Sequence, residues 1–431
     1  TSHHPQTGHD AGEPARAAYS AGCRVSLPGL GHQTLGSGRI AFRRRRGPIR
    51  GSVRILHTAD WHVGRSIRGR SRAQEHRQVL QEITDFAAEV KADLVVVAGD
   101  LFDVSSPTAE SEEIVYSTLL GLAEVAPVVA VAGNHDNPRR LEAVTPLLRL
   151  GRVVMASEVR RAQDGGVLHH PDVPDTRIVL LPFLSQRAIV RADELMGSTS
   201  DQHGGIYTER FARIVESLSA DTSTDEVNIA VSHLMVHGGE TGGGEREAHT
   251  LFDYSVNAGV FPSHFSYVAL GHLHRPQQVA SAPPVWYSGS PLQLDFGEAG
   301  IEKQVLVVDV EPGLPATVTP HQLKAGTPLV QLTGTLPQIE AQADDLEEAY
   351  VRVIVDEPNR AGLAGEIRAL IPNVVDIVLD PSRRQERDGK RVDRTGMSHA
   401  ERFGAYLTEN DIEDPRLVEL FDELLDEAHE A

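Results

Sequence analysis

The sequence predicts a layered α/β domain followed by a smaller α+β unit and a helical tail. Three observations predict it. Short runs rich in Val, Ile and Leu occur at 53–57, 94–98, 128–132, 227–231 and 266–270. In the first part, longer segments of helical period separate them. A cluster of polar residues follows each run directly. Continuous apolar runs are the mark of strands buried on both faces, and strand–helix alternation is the plan of a parallel sheet.

Residues 1–52 are rich in Gly, Ser, His and Arg, lack hydrophobic periodicity and include the run Arg43 to Arg46. They read as a disordered N-terminal extension, with the folded chain beginning at Val53. No apolar core follows the positive charges, so a signal peptide is not expected. In "AQEHRQVLQEITDFAAEV" (73–90), Val79, Leu80, Ile83, Phe86, Ala87 and Val90 recur at the spacing of one helical apolar face. Gly-rich "VHGGETGGGERE" (236–247) reads as a mobile loop.

Further along, "VWYSGS" (285–290) and "KQVLVVDV" (303–310) read as strands with no long helix between them, which suggests a second sheet beside the first. Residues 311–328, with Pro, Gly and Thr, read as a linker. Then "YVRVIVD" (350–356), "AGEIRALI" (364–371) and "VVDIVLD" (374–380) form a small β-α-β pattern, and the polar stretch 381–400 separates it from the tail. In "DPRLVELFDELLDEA" (414–428), Leu417, Leu420, Phe421, Leu424 and Leu425 make an apolar stripe backed by acidic residues. A helix folded onto its own domain and a helix that binds a partner both fit that stripe.

The chain has 431 residues and a net charge of −20. That balance argues against coating nucleic acid by bulk electrostatics, which needs Lys and Arg facing phosphates, but it permits metal ions to supply positive charge locally. One cysteine, Cys23, leaves no internal disulfide and fits a reducing cytoplasm. No stretch approaches the ~20 apolar residues that span a bilayer, so no membrane segment is expected.

The polar clusters carry the chemistry. Asp60 and His62 follow the first run, Asp100 the second, and Asn134, His135 and Asp136 the third; His233 follows the fourth, and His272 and His274 the fifth. Carboxyl ends of strands in an open α/β sheet are where ligands bind, so residues far apart in sequence can converge there. Any one cluster alone reads as turn chemistry; five in one register read as a site. Asp, Asn and His without thiolates suit Mn, Fe, Zn or Mg. Seven donors (Asp60, His62, Asp100, Asn134, His233, His272, His274) are too many for one catalytic ion and suit two that share a carboxylate, an arrangement whose natural substrate is a phosphate ester. Glycines precede Asp100, Asn134 and His272, as expected where the backbone turns sharply.

"DWH", "GDLFD", "GNHD", "SHL" and "GHLH", in this order, resemble the motifs of the calcineurin-like metallophosphoesterases. The longer strings "ILHTADWHVGR", "VVVAGDLFD", "YVALGHLHRPQ" and "YSGSPLQLDF" are similar to the SbcD-type branch of that family, the double-strand-break repair nucleases. The resemblance runs from about Val53 to the end. It implies a two-sheet α/β sandwich at 53–320, a capping domain that positions DNA at 321–382, and a linker with an amphipathic ATPase-binding helix at 383–431. Asp60, His62, Asp100 and His274 would hold a first ion; Asp100 would bridge to a second held by Asn134, His233 and His272. His135 resembles the family's general acid, and Asp136 would orient it or cap the helix that starts at Pro138.

Also implied are two Mn²⁺ ions per chain, exonuclease action on double strands, endonuclease action on single strands and hairpins, a coiled-coil ATPase partner of the SbcC type, and a homodimer within a heterotetramer. Arg65 and Arg68, with Arg70 and Arg72 beside them, are candidates for phosphate contacts. Trp61 is expected to pack under the site. Two stretches depart from the family pattern, the N-terminal extension and the Gly-rich loop at 242–244. Rival readings are a small-molecule phosphodiesterase or phosphatase of the same superfamily, and a protein that chiefly tethers DNA ends.

Overall fold

The computed structural model describes residues 52–196, 207–245, 255–381 except 344, 345, 347 and 359, then 399–409, 416–418, 420 and 421. The expected extension at 1–52, save its last residue, and the linker at 383–398 lie outside the described residues, as do Leu424 and Leu425.

From Val53 the chain alternates as its periodicity predicts: β1 (Val53–Thr58), α1 (Ala73–Glu89), β2 (Leu94–Val97), α2 (Ala109–Val125), β3 (Val128–Val131), α3 (Pro138–Leu150) and β4 (Val153–Ala156). The four strands pair in parallel. Side chains alternate across them. Leu56, Val95 and Val97 pack outward with Val79, Leu80 and Ile83 of α1 and Leu119 of α2, whereas Ile55, Leu94 and Val96 face a second sheet. This is the period-2 alternation of a strand buried on both sides.

That second sheet is built from β5 (Val167–His169), β6 (Thr176–Leu181), β7 (Val227–His233), β8 (Tyr267–Gly271), β9 (Gln277–Val279) and β10 (Val285–Tyr287), in the order β9-β10-β8-β7-β6-β5, with helix α4 (Gln186–Leu195) and α5 (Tyr207–Ser219) between β6 and β7. Its inner face meets the first sheet through Ile178, Ile229, Val231, Tyr267 and Ala269. Its outer face packs on Phe211, Ile214 and Leu218 of α5. The result is a helix–sheet–sheet–helix sandwich.

Two expectations need correction. The strand expected at 303–310 to extend a second sheet is β11 (Gln304–Val310), and it returns to the first sheet, antiparallel to β1. The stretch expected as a linker, 311–328, contains β12 (Thr317–Gln322), which pairs with β11 at the sheet edge. Its Thr, Pro and His carry no apolar run, because an edge strand outside the core needs none. The polar clusters therefore do not share one sheet edge: three end strands of the first sheet and two end strands of the second.

The β-α-β unit gains a strand. It comprises β13 (Leu329–Gly334), α6 (Leu336–Glu340), β14 (Tyr350–Val355), α7 (Leu363–Leu370) and β15 (Val374–Leu379), a three-stranded parallel sheet with its own core around Val351, Val353 and Ile367. It meets the sandwich where Leu329 packs against Ile67 and Phe296. Helix α8 (His399–Glu409) follows. Past it Phe421 stacks on Phe403 at 4.3 Å between ring centroids, while Leu420 is half exposed. Among the described residues no helix is long and apolar enough to cross a membrane.

Candidate metal centre

The two sheets bring the expected donors together from five strand ends. Asp60, His62, Asp100, His233, His272 and His274 are all buried, and Asn134 half-buried. Asp100 occupies the middle: its Oδ2 lies 3.4 Å from His62 Nε2 and 3.4 Å from His233 Nε2. On one side His62 Nε2 and His274 Nε2 face each other at 3.1 Å. On the other, Asn134 Oδ1 sits 2.8 Å from His233 Nε2 and 2.9 Å from His272 Nδ1. Asp60, His62 and His274 could share one ion, and Asp60, Asp100 and His233 another.

The arrangement asks for a cation. His274 Nδ1 donates to Glu298 Oε1 at 2.8 Å and His233 Nδ1 to the Ala98 carbonyl at 2.9 Å, so in each neutral ring the Nε2 lone pair points inward, toward further lone pairs. His62 Nδ1 faces Asp103 Oδ1 at 3.5 Å, which turns its Nε2 toward the same centre. A metal ion at the centre would satisfy these acceptors together, and O and N donors of this type suit a divalent ion. The titration of the groups says the same. Burial lowers the His233 imidazole, yet Asp100 and Asp60 overcome it and carry it up to about 9. Burial also pushes Asp60 up to about 7, against the pull of His233 and His274. For Asp100, burial is outweighed by His233, His62 and His135, which hold its carboxyl well below the usual range. Burial brings His62 down to about 4, leaving it neutral and able to act as a ligand.

The backbone is strained where the donors sit. Asp60, His62, Asp100 and His272 have φ values of 53°, 46°, 51° and 105°. Left-handed conformations cost a non-glycine residue on the order of 1–3 kcal/mol and persist only where their surroundings over-determine them. Here they do: Asp60 N donates to the Gly99 carbonyl and His62 N to that of Asp100, both at 3.0 Å, and His272 N donates to Asp60 Oδ1 at 2.9 Å. The loops after β1, β2 and β8 pin one another.

The calcineurin-like phosphoesterase family model matches residues 53–276, the stretch that holds all seven donors. The SbcD component of the SbcCD nuclease from Bacillus subtilis (strain 168) is 33% identical over 387 residues, covering 86% of this chain and 97% of the relative. This chain belongs to the SbcD branch of the calcineurin-like phosphoesterases. The protein of the same name from Rhodobacter capsulatus is 33% identical over 312 residues, 68% of this chain and 76% of that one. That from Staphylococcus epidermidis is 28% identical over 261 residues, 60% and 66% of the two chains.

Within this family fold several side chains stand elsewhere than expected. Asp136 neither orients His135 nor caps α3. Its carboxylate accepts from the backbone N–H groups of Gly133, Phe102 and Leu101, at 2.8, 3.1 and 3.2 Å, tying the β3 loop to the β2 loop. Asn137 caps α3, accepting from Arg139 N and Arg140 N. His135 is oriented by the carbonyl of Asp103, to which Nδ1 donates at 2.7 Å; its Nε2 lies 4.0 Å from Asp100 Oδ2. Of the arginines, Arg65 lies at the rim, 3.4 Å from Asp103. Arg68 is engaged with Asp376 of β15 at 2.7 Å. Arg72 cannot reach a phosphate, because it is buried in an ion pair with Glu75. Trp61 packs fully buried, its Nε1 donating to Thr58 Oγ1.

The glycines have two separate reasons. Gly99 needs its φ of 93°. Gly133 and Gly271 do not turn left-handed; a Cβ there would collide with Asp100 Oδ1 and with the Ala98 carbonyl, respectively. The described part of the Gly-rich loop is packed, too. Gly244 lies against Glu298 and His274, and Glu245 accepts from His274 N at 2.8 Å. Glu245, Glu298, Lys303 and Asp103 are the supporting residues that sequence reasoning missed. Asp103 alone had a signal, as the last residue of "GDLFD".

Proposed function

We propose that this phosphoesterase is a manganese-dependent DNA nuclease of the cytoplasm that shortens double strands from their ends and cuts single strands and hairpins, working with a coiled-coil ATPase of the SbcC type. The observation that carries the reading is the convergence on Asp100 of donors from both sheets, with His135 beside them. Relatives across most of the chain bear the name of a nuclease.

In this reading Asp60, His62 and His274 hold one divalent ion, Asn134, His233 and His272 the other, and Asp100 lies between the two. Bound there, such a pair supplies a nucleophilic water at neutral pH and neutralises the charge that develops on phosphorus oxygens. The chain's own groups do the rest. His135, held through Nδ1 by the Asp103 carbonyl, presents Nε2 toward Asp100, and in its imidazolium form donates that proton to the leaving oxygen. Arg65 meets the flanking phosphate from the rim. The unit at 321–382 positions the duplex over the site. The segment 383–431 carries Leu417, Leu420, Phe421, Leu424 and Leu425 to the ATPase, and two such pairs form a heterotetramer about a homodimer of this chain.

The test is cleavage of an end-labelled DNA hairpin with Mn²⁺, Mg²⁺ or chelator, beside hydrolysis of a small chromogenic diester. Mn²⁺-dependent cutting lost in His135→Ala supports the reading. Intact DNA under every metal, with the small diester hydrolysed, would replace it with a small-molecule phosphodiesterase.

A further inference from the structure

We propose that Glu298, gripped by Lys303, is a positioning residue for His274. It fixes that ring as the Nδ1–H tautomer and so aims the Nε2 lone pair at the ion shared with Asp60 and His62. The inference rests on the two-ion reading above and adds that the two halves of the centre are held differently.

Glu298 ends the 3₁₀ turn Phe296–Glu298 and has no exposed surface. Both of its oxygens are committed. Oε1 accepts from His274 Nδ1 at 2.8 Å; Oε2 accepts from Lys303 Nζ at 2.6 Å and from Leu294 N at 3.1 Å. Lys303 uses all three of its N–H bonds, donating also to Ser290 Oγ at 2.9 Å and to the backbone carbonyl of His274 at 3.1 Å. The ammonium therefore holds the carboxylate and, separately, the main chain of the residue that carboxylate orients. Nothing in a core requires this, since a buried ion pair is often no more stable than apolar side chains of the same volume. A ligand that must present one particular nitrogen does require it, because a hydrogen bond to the far ring nitrogen fixes both tautomer and ring plane.

Two further observations agree. Gly244 lies over the Glu298–His274 hydrogen bond, where a Cβ would strike Glu298 Oε1, so the loop can close on that bond only through glycine. And the opposite half is built otherwise: His233 Nδ1 donates to a neutral backbone carbonyl, that of Ala98. The two rings are thus oriented by different acceptors, a carboxylate behind His274 and a main-chain carbonyl behind His233.

Glu298→Gln sharpens the test. Lys303 and Leu294 N can donate only to oxygen, so the new amide must turn its NH₂ toward His274. Nδ1 then becomes the acceptor, and the proton moves to Nε2, pointing at the ion. We expect Mn²⁺ titration of the full chain to show two ions in the wild type. In Glu298→Gln one of them should weaken by about 10–100-fold while the other keeps its affinity. In chelator, ¹⁵N NMR should read His274 as Nδ1–H in the wild type and Nε2–H in the variant. Glu298→Asp keeps the charge against Lys303 but withdraws the oxygen from Nδ1; it should weaken the same ion. Equal weakening of both ions, or unchanged binding and tautomer in both variants, would overturn the proposal. A wild type that binds fewer than two ions would sink the two-ion reading instead, and the NMR arm would still judge Glu298 by itself.

Discussion

Replacing Asp136 by Ala separates a loop-tying carboxylate from a catalytic one. Its three accepted N–H bonds come from buried backbone, and leaving three such donors unpaired costs about 3–6 kcal/mol. A relief opposes that loss. Burial, together with the neighbouring Asp100 charge, raises the Asp136 carboxyl from 3.8 to about 6. Its ionised form therefore costs the native state about 3 kcal/mol at neutral pH, and Ala escapes that cost. The relief matches the low end of that loss, leaving a deficit of about 0–3 kcal/mol near pH 7. The sign with pH follows. A native carboxyl titrating above its unfolded counterpart makes stability fall as pH rises between the two values, so the relief shrinks on acidification. The variant's deficit should be larger at about pH 5 than at about pH 7, by roughly 1 kcal/mol. Urea unfolding followed by the fluorescence of the two tryptophans, Trp61 and Trp286, measures both. Asn137→Ala, which removes only the α3 cap, should cost about 1 kcal/mol with no such pH trend. An Asp136→Ala protein as stable as wild type at both pH values, yet without turnover, would refute the loop-tying role and return Asp136 to the chemistry.

His135→Ala should lower hairpin cleavage by about 10²–10⁴-fold while the stoichiometry of bound Mn²⁺ is unchanged; loss of metal in the variant would make His135 a ligand. Gly133→Ala should displace Asp100, since the added methyl runs into its Oδ1, and both ions should weaken together in a Mn²⁺ titration; wild-type affinity would show that the loop yields. For Glu298, burial is outweighed by Lys303 and His274, which hold the carboxyl at about 2 against an ordinary 4.5. The stabilisation of about 3 kcal/mol is complete above 4.5 and fades as pH falls toward 2. The gap in unfolding free energy between wild type and Glu298→Gln should narrow over that range, and a gap independent of pH would contradict it.

Much of the sandwich was legible because its strands are buried on both faces. Continuous runs such as "LVVV" (94–97) and "VVAV" (128–131) leave little else to be. The convergence of the seven side chains was legible because a strand end is a fixed place in a parallel sheet, and polar residues follow each run there. Which sheet a strand joins was not. β11 reads like any central strand, and only its pairing with β1 returns it to the first sheet. β12 was hidden for the opposite reason, an exposed edge with no apolar signal. Support for the donors was equally silent. Glu298 lies in a stretch without periodicity and Lys303 opens the expected strand at 303–310, and a buried ion pair looks in sequence like two surface charges. Asp136 misled because an Asp beside a His invites a catalytic role, whereas its partners are main-chain groups that no sequence displays.

The central claim is that two divalent ions share Asp100, one toward His62 and His274 and one toward His233, His272 and Asn134. Anomalous diffraction from crystals soaked in Mn²⁺ tests it most directly. The account predicts two peaks flanking the Asp100 carboxylate, with Asp60 beside them. A single peak, or two peaks that do not share Asp100, would contradict it.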